Sequence, residues 1–259
     1  MEIFPRYFLE ISFNGTAYCG WQRQPQGPSV QAEVERALQF ALHQHKVNAI
    51  GCGRTDSGVH ASRYYLHFDG PSERVLDDRF VYSLNSLLPD DIAVHRLIAV
   101  PDDAHARFSA TERGYCYRIH QRKDPVLTNL SHQLKPALDV DRMNEACRVL
   151  IGQQDFSSFQ KTGSDVKTPI CDVREARWEA VPNGYVFRIK ADRFLRNMVR
   201  SIVGTCLRIG KGQQPTAHMA AVLAARDRHA AGRSAPACGL YLEHVVYPFI
   251  VTELRAPQA

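Results

Sequence analysis

The chain has 259 residues, 44% of them hydrophobic and 23% charged, with a formal net charge of +5 and a pI near 8.8. Such a chain can bury a sizeable core, in one large domain or two, and is no disordered tail; its mild basic excess is compatible with nucleic acid without selecting it. No stretch is apolar for the length of a membrane span, no N-terminal run joins basic residues to a continuous apolar segment, and the seven scattered cysteines include no Cys-x-x-Cys pair. The expectation is a cytoplasmic protein with reduced thiols; with no His-Glu-x-x-His pattern among eleven histidines, no metal is expected either.

Residues 7–13 alternate, with Tyr7, Leu9, Ile11 and Phe13 on one face and Phe8, Glu10 and Ser12 on the other, which predicts a half-buried strand closed by the Asn14-Gly15-Thr16 turn. The aromatic and amide cluster Tyr18–Gln24 then reads equally as a satellite core under a loop or as a surface for stacking and hydrogen bonding. Ser29 caps a helix whose Val30, Val34, Ala37, Leu38 and Ala41 share one face, and a strand is expected from Val47 to Ile50. A second strand ends at Phe68, an amphipathic helix runs through Leu76, Phe80, Leu84, Leu87 and Leu88 to Pro89, and a strand covers Ile92–Ile98. The order fits an α+β layer. Pro101-Asp102-Asp103 is the expected linker, dividing the chain into residues 1–102 and 103–259.

Beyond it, a strand places Tyr115, Tyr117 and Ile119 on one face and Arg118 and His120 on the other. Asp139 caps a helix with Val140, Met143, Cys147 and Leu150 inward and Gly152 past its end. Strands at 172–181 and 185–191 flank Pro182-Asn183-Gly184, a helix is expected to start at Arg193, a short one spans 215–225, and a last strand runs from Leu240 to Val246. No internal sequence repeat is visible.

Between the strands before and after it, Gly51-Cys52-Gly53-Arg54-Thr55-Asp56-Ser57-Gly58-Val59-His60-Ala61 forms a glycine-rich loop with a charge pair at its tip. It is a poor phosphate cradle. A dinucleotide fingerprint needs glycine at position 56, where Asp56 stands, and an aromatic strand, not a helix, follows. Asp56 alone could be an Asx-turn residue. As a nucleophile it would need an arginine partner, and two are available: Arg54 in the same loop and Arg200 on the helix from Arg193. On that helix Leu195, Met198, Val199, Ile202 and Cys206 form the expected buried stripe, while Arg193, Arg196 and Arg200 follow at i, i+3 and i+7 along its flank, as a solvated face or an RNA-binding row. His105, Arg107, Phe108, Arg113, Tyr115, Tyr117 and Arg118 interleave bases with aromatics, as single-stranded RNA recognition requires, although a core strand with snorkelling arginines has the same composition.

Gly53–Ala61 resembles the signature of the tRNA pseudouridine synthase A (TruA) family. Gly15–Gln22, Asn85-Ser86-Leu87-Leu88-Pro89-x-Asp91-Ile92, His105–Phe108, Met198-Val199-Arg200 and Gly239–Leu242 resemble further family blocks in family order, over nearly the whole chain. The resemblance implies two ferredoxin-like-type α+β domains joined by a continuous mixed, mainly antiparallel sheet with a central basic cleft, no cofactor, and a homodimer in which one tRNA contacts both subunits. It implies isomerisation of anticodon stem-loop uridines, in the family at positions 38, 39 and 40. Asp56 matches the nucleophile, Arg54 the residue that helps flip the base, Tyr115 the aromatic packed on the flipped uracil, and Arg200 the partner of the carboxylate. Ala104, His105, Ala106, Arg107 and Phe108, and also residues 166–170, match stretches that touch the tRNA backbone. Attack at C1′, attack at C6 and elimination to a glycal are all open to Asp56. Asn14, Tyr64, Ala104 and Gln154 depart from the family pattern, outside the catalytic set. The other reading is a tRNA-binding protein or folding chaperone on the same fold, which the presence of Asp56, Tyr115 and Arg200 disfavours.

Overall fold

The computed structural model describes residues 4–25, 27–75, 79–163 and 167–250. In chain order the elements are β1 (Arg6–Phe13), α1 (Val30–Leu42), β2 (Ile50–Gly51), β3 (His60–Asp69), α2 (Ser72–Val75), α3 (Phe80–Leu87), β4 (Ile92–Ala99), β5 (Glu112–His120), β6 (His132–Gln133), α4 (Val140–Cys147), β7 (Gly152–Asp155), β8 (Ile170–Val181), β9 (Gly184–Ala191), α5 (Met198–Gly210), α6 (His218–Ala225) and β10 (Leu240–Val246). Among the described residues no helix is long and apolar enough to cross a membrane.

One sheet runs through the molecule in the order β4-β1-β3-β10-β5-β9-β8-β7, with β2 added to β3 and β6 to β5. Its ladders are antiparallel except β5 with β6 and β10 with β3. The second exception matters for the site. β10 inserts between β3 and β5, pairing Tyr241 with His60 and Leu242 with Ala61 directly after the Asp56 loop, and running antiparallel to β5 on its other side. Two apolar clusters flank this seam. One is built mainly from β1, β3, α1 and α3, and also takes in Ala104, Ala106, Leu242, Val245 and Tyr247. The other centres on β5, β8, β9, α4 and α5 and includes Leu240. This is the α+β architecture with a continuous, mostly antiparallel sheet that the sequence implied.

Several local expectations change. β1 is buried on both faces, with Phe8 fully buried and Glu10 2% exposed. The alternation hid this because Glu10 is polar but paired: Arg96 Nε lies 3.0 Å and Arg63 Nε 3.4 Å from its carboxylate, and Tyr65 donates to it at 2.9 Å. The strand expected at Val47–Ile50 shrinks to Ile50–Gly51. The backbone of Ala49 is bonded to α1 side chains instead, its N–H to Glu35 (3.1 Å) and its carbonyl to Gln31 (3.0 Å). The helix expected through Leu76 begins at Phe80, and Leu76 itself lies outside the described residues. Ser29 caps α1 by accepting from Ala32 N–H, and Asp139 caps α4 by accepting from Arg142 N–H, as expected. All seven cysteines are free thiols.

Candidate active site

The loop between β2 and β3 is fixed from outside. Trp21 N–H donates to Thr55 Oγ1 (3.0 Å), Gly58 N–H to Tyr18 O (3.2 Å), and Tyr64 Oη to Gly53 O (2.5 Å). Gly20 adopts φ +94°, and a Cβ there would stand 2.2 Å from Thr55 O, so this approach of backbone to backbone requires glycine. The Tyr18–Gln24 cluster therefore divides its work. Tyr18 and Trp21 are buried, Trp21 packing on Tyr64 with ring centroids 4.5 Å apart, while Gln22 and Gln24 face the cavity.

Asp56 emerges from this loop at the edge of a cavity of about 920 Å³. Among the described residues six cationic side chains line that cavity, Arg54, Lys161, Arg196, Arg200, Arg228 and Arg233, and Asp56 is the one carboxylate. Arg200 Nη1 donates to Asp56 Oδ2 at 3.2 Å across 144 residues of sequence. Arg200 is itself tethered: its Nε donates to Ala235 O (2.7 Å), and its backbone carbonyl accepts from Ala235 N–H (2.9 Å). Arg54 lines the same cavity but, among the described residues, forms no ion pair with Asp56.

The helix expected from Arg193 begins five residues later, at Met198. Asn197 stops it from starting earlier. It takes the left-handed conformation (φ 65°), and its side-chain amide donates to Ser201 Oγ (2.9 Å) and Ser234 Oγ (2.6 Å). Arg193 and Arg196 thus sit on the incoming segment, not in a helical row with Arg200. The helix is also buried on nearly every side, Ser201, Val203, Gly204 and Thr205 included, so it has no solvated flank. The turn aims Arg196 into the cavity, its Nε 3.8 Å from Asp56 Oδ1, whereas Arg193 does not line it.

Tyr115, on β5, packs edge-on against Phe194 with centroids 5.1 Å apart. Its phenol is pushed above its ordinary range, chiefly by burial, with the charges of Cys52 and Asp56 adding in the same direction. In the 104–108 segment, Ala104 and Ala106 are buried in the first apolar cluster, and their carbonyls are occupied by Arg6 (3.1 Å) and Tyr247 (2.6 Å). His105 Nδ1 accepts from Arg107 N–H at 3.1 Å, and Phe108 is 75% exposed with Arg107 5.5 Å over its ring. Arg107 is held below its usual range by burial and then by the charges of Arg54, Arg113 and Arg193. Of the 166–170 stretch, Val166 lies outside the described residues.

Sequence reasoning missed Lys161, Arg228 and Arg233 as cavity residues, and Asn197 as the turn that aims Arg196. The run Arg228-His229-Ala230-Ala231-Gly232-Arg233 was basic enough to signal, but nothing in it says which wall it joins. Arg113 was placed only in an aromatic-basic strand. It is a hub, donating to Asp192 O (2.9 Å), Ala110 O (3.0 Å) and Cys52 O (3.3 Å), and also to Arg107 O. One half-buried guanidinium thus joins the base of the Asp56 loop to the 107–110 segment and to the end of β9. Among the described residues no group of three or more His, Cys, Asp or Glu is arranged to hold a metal ion.

A lone carboxylate clamped inside a cation-lined cavity, on a sheet shared by two halves, suits an enzyme acting on a polyanion. The family profile described as tRNA pseudouridine synthase matches residues 146–248, the part that carries Arg200 and β10, and gives the class of the fold as pseudouridine synthase. Over 246 residues the chain is 46% identical to tRNA pseudouridine synthase A of Porphyromonas gingivalis, covering 94% of this chain and 97% of that one. It is 47% identical to tRNA pseudouridine synthase A of Bacteroides thetaiotaomicron, covering 94% and 91%, and 41% identical to that of Bacillus licheniformis, covering 92% and 97%. The chain belongs to the tRNA pseudouridine synthase A family.

Proposed function

We propose that this protein isomerises uridine to pseudouridine in the anticodon stem-loop of tRNA, at positions 38, 39 and 40, with Asp56 as the nucleophile. The observation that carries the reading is the pairing of the one carboxylate that lines the cavity among the described residues with a tethered arginine, Arg200 Nη1 to Asp56 Oδ2 at 3.2 Å, beside five further cations. The reaction breaks the N1–C1′ bond, turns the uracil, and joins C5 to C1′, while the C5 proton is lost and N1 gains one; the product has the composition of the substrate. It needs a nucleophile that stays charged, a surface for the detached base, and cations for the phosphates that hold the RNA open. Arg200 pairs with the carboxylate and aims it. Tyr115 supplies the base-packing ring and Arg54 holds the strand from which the base is turned out. Arg107, Phe108, His105, Arg193 and Arg196 meet the RNA, and Ala104 and Ala106 act through the backbone that presents their neighbours.

On this reading residues 1–102 and 103–259 are the two units that close on the stem-loop, the protein works in the cytoplasm, and it is a homodimer whose subunits both touch one tRNA. The deciding experiment is Asp56→Asn assayed on an anticodon stem-loop substrate. Pseudouridine formation is expected to vanish while the RNA still binds. Turnover at the wild-type rate would remove Asp56 from the mechanism, and loss of binding together with turnover would favour a structural role for the loop.

A further inference from the structure

Two guanidinium groups bracket Asp56, and they are not equivalent. Arg200, 3.2 Å from Oδ2, has a side chain only 21% exposed and is held at Nε by Ala235 O (2.7 Å), so its position is set by the protein whether or not RNA is bound. Arg196 lies 3.8 Å from Oδ1, on the other side of the carboxylate, with its side chain 58% exposed. Among the described residues Asp56 is the one partner of its guanidinium. Its backbone, by contrast, is firmly placed: the carbonyl accepts from Lys161 N–H at 2.9 Å, and the left-handed Asn197 follows. The result is a long, solvated side chain on a fixed pivot, resting on the reactive carboxylate.

An ion pair of that length and exposure is weak. A phosphate offers the same guanidinium a second charge-assisted oxygen in a geometry that fits its planar fork. RNA entering a cavity with five other cations brings phosphates to within reach of Arg196, and the exposed pair with Asp56 is the contact that gives way. Arg200 cannot follow, because leaving would also break its bond to Ala235.

We infer that Arg196 is a phosphate-operated cover on the catalytic carboxylate: it rests on Asp56 Oδ1 in the free protein and transfers to a backbone phosphate of the bound RNA, which uncovers that oxygen only when substrate is in place. Arg196 is then a positioning residue that couples RNA binding to exposure of the nucleophile. The sequence alone suggested a helical row of three equivalent arginines; the turn at Asn197 is what separates a mobile cover from a fixed clamp. The inference rests on the reading of Asp56 as nucleophile, but its test does not depend on turnover.

Binding to Asp56 and binding to RNA compete for Arg196, so removing the carboxylate should strengthen RNA binding through Arg196 in particular. The experiment is a double-mutant cycle in RNA affinity, using the wild type, Asp56→Asn, Arg196→Gln and the double variant. The ligand is a tRNA whose anticodon-stem target uridines are replaced by cytidine, so that all four proteins bind without reaction. Asp56→Asn removes repulsion from the phosphates in both backgrounds. Release of Arg196 adds to that only where Arg196 is present, and the tightening in the wild-type background should exceed that in Arg196→Gln by about threefold or more. Equal tightening in the two backgrounds overturns the inference, since Arg196 would then reach RNA without leaving Asp56. A smaller tightening in the wild-type background also overturns it. Because Arg196 is exposed, all four proteins should fold, and thermal melts of each check this; Arg196→Ala repeats the cycle should Arg196→Gln melt early. The inference and the functional reading fail separately. Loss of turnover in Asp56→Asn without coupling sinks the cover alone, while coupling with full turnover sinks the nucleophile alone.

Discussion

Arg200 uses one planar group for two directional bonds, Nε to Ala235 O at 2.7 Å and Nη1 to Asp56 Oδ2 at 3.2 Å. Lysine keeps the charge but cannot span both acceptors, so Arg200→Lys should leave Asp56 neutralised yet poorly aimed. The expected result is a single-turnover rate lowered roughly 100-fold with KM changed little, since the lost contact acts on the proposed nucleophile. An unchanged single-turnover rate would show that the ion pair is not used in the reaction. The two partners lie 144 residues apart, and no local pattern in either segment encodes their meeting. The Gly53–Ala61 motif made Asp56 legible, and the family likeness of Met198-Val199-Arg200 made Arg200 legible. Arg196 was misplaced for a physical reason: the helical spacing of Arg193, Arg196 and Arg200 is real in the sequence, but Asn197 is turned out of the helix by hydroxyls that include one on a distant segment, Ser234.

The same limit applies to whole segments. Residues 104–108 look like a contact surface because arginine, histidine and phenylalanine cluster there, and part of what fixes the segment comes from β3. His67, 3% exposed, accepts Ala106 N–H at its Nδ1 (3.0 Å) and packs against Phe8 and His105. Its pKa is lowered to about 4 by burial first, then by the charges of Arg6 and His105, with Asp69 opposing. The folded value lies below the usual 6.5, so the proton prefers the unfolded chain; the stabilisation is complete above about pH 6.5 and is lost as pH falls toward 4. His60, His105, His132 and His218 are shifted in the same direction. Melting temperature should therefore fall on acidification from pH 7 to 4.5, and the fall should be shallower in His67→Asn, whatever that variant loses in packing. A wild-type slope retained in His67→Asn would assign the acid sensitivity to the other histidines. Strand and helix periodicity located most elements, but it could not show that a buried histidine ring holds the 104–108 segment in place.

At the scale of the whole molecule, β10 ties the strand that follows the Asp56 loop to the other side of the sheet. β10 lies between β3 and β5, so the C-terminal residues of the sheet hold together the strand that follows Asp56 and the strand that carries Tyr115. The sequence locates this strand at Leu240–Val246, but a sheet position between two strands so far apart in sequence is a topological fact that periodicity does not carry. The assembly leaves a cavity whose charge is far more one-sided than the chain's overall +5 suggests, six cations to one carboxylate among the described residues. Not all six are available to RNA. Arg200 is committed to Asp56 and Ala235, and Arg228 donates to Gly232 O (3.3 Å) and Ser234 Oγ (3.0 Å), whereas Arg54, Lys161 and Arg233 form no side-chain ion pair or hydrogen bond among the described residues. With Arg196 released from Asp56, about four cations would each displace a counterion from phosphate. The logarithm of tRNA affinity plotted against that of salt concentration should then have a slope of about −3 to −4 from the cavity alone, made steeper by the contacts of Arg107 and Arg193. Replacing Lys161 or Arg233 with glutamine should make it shallower by about one unit, whereas Arg228→Gln should change it less, because that side chain is already engaged with the protein. A wild-type slope near −1 would place the RNA elsewhere on the surface, and equal effects at Arg228 and Arg233 would show that protein hydrogen bonds do not decide which cations the phosphates recruit.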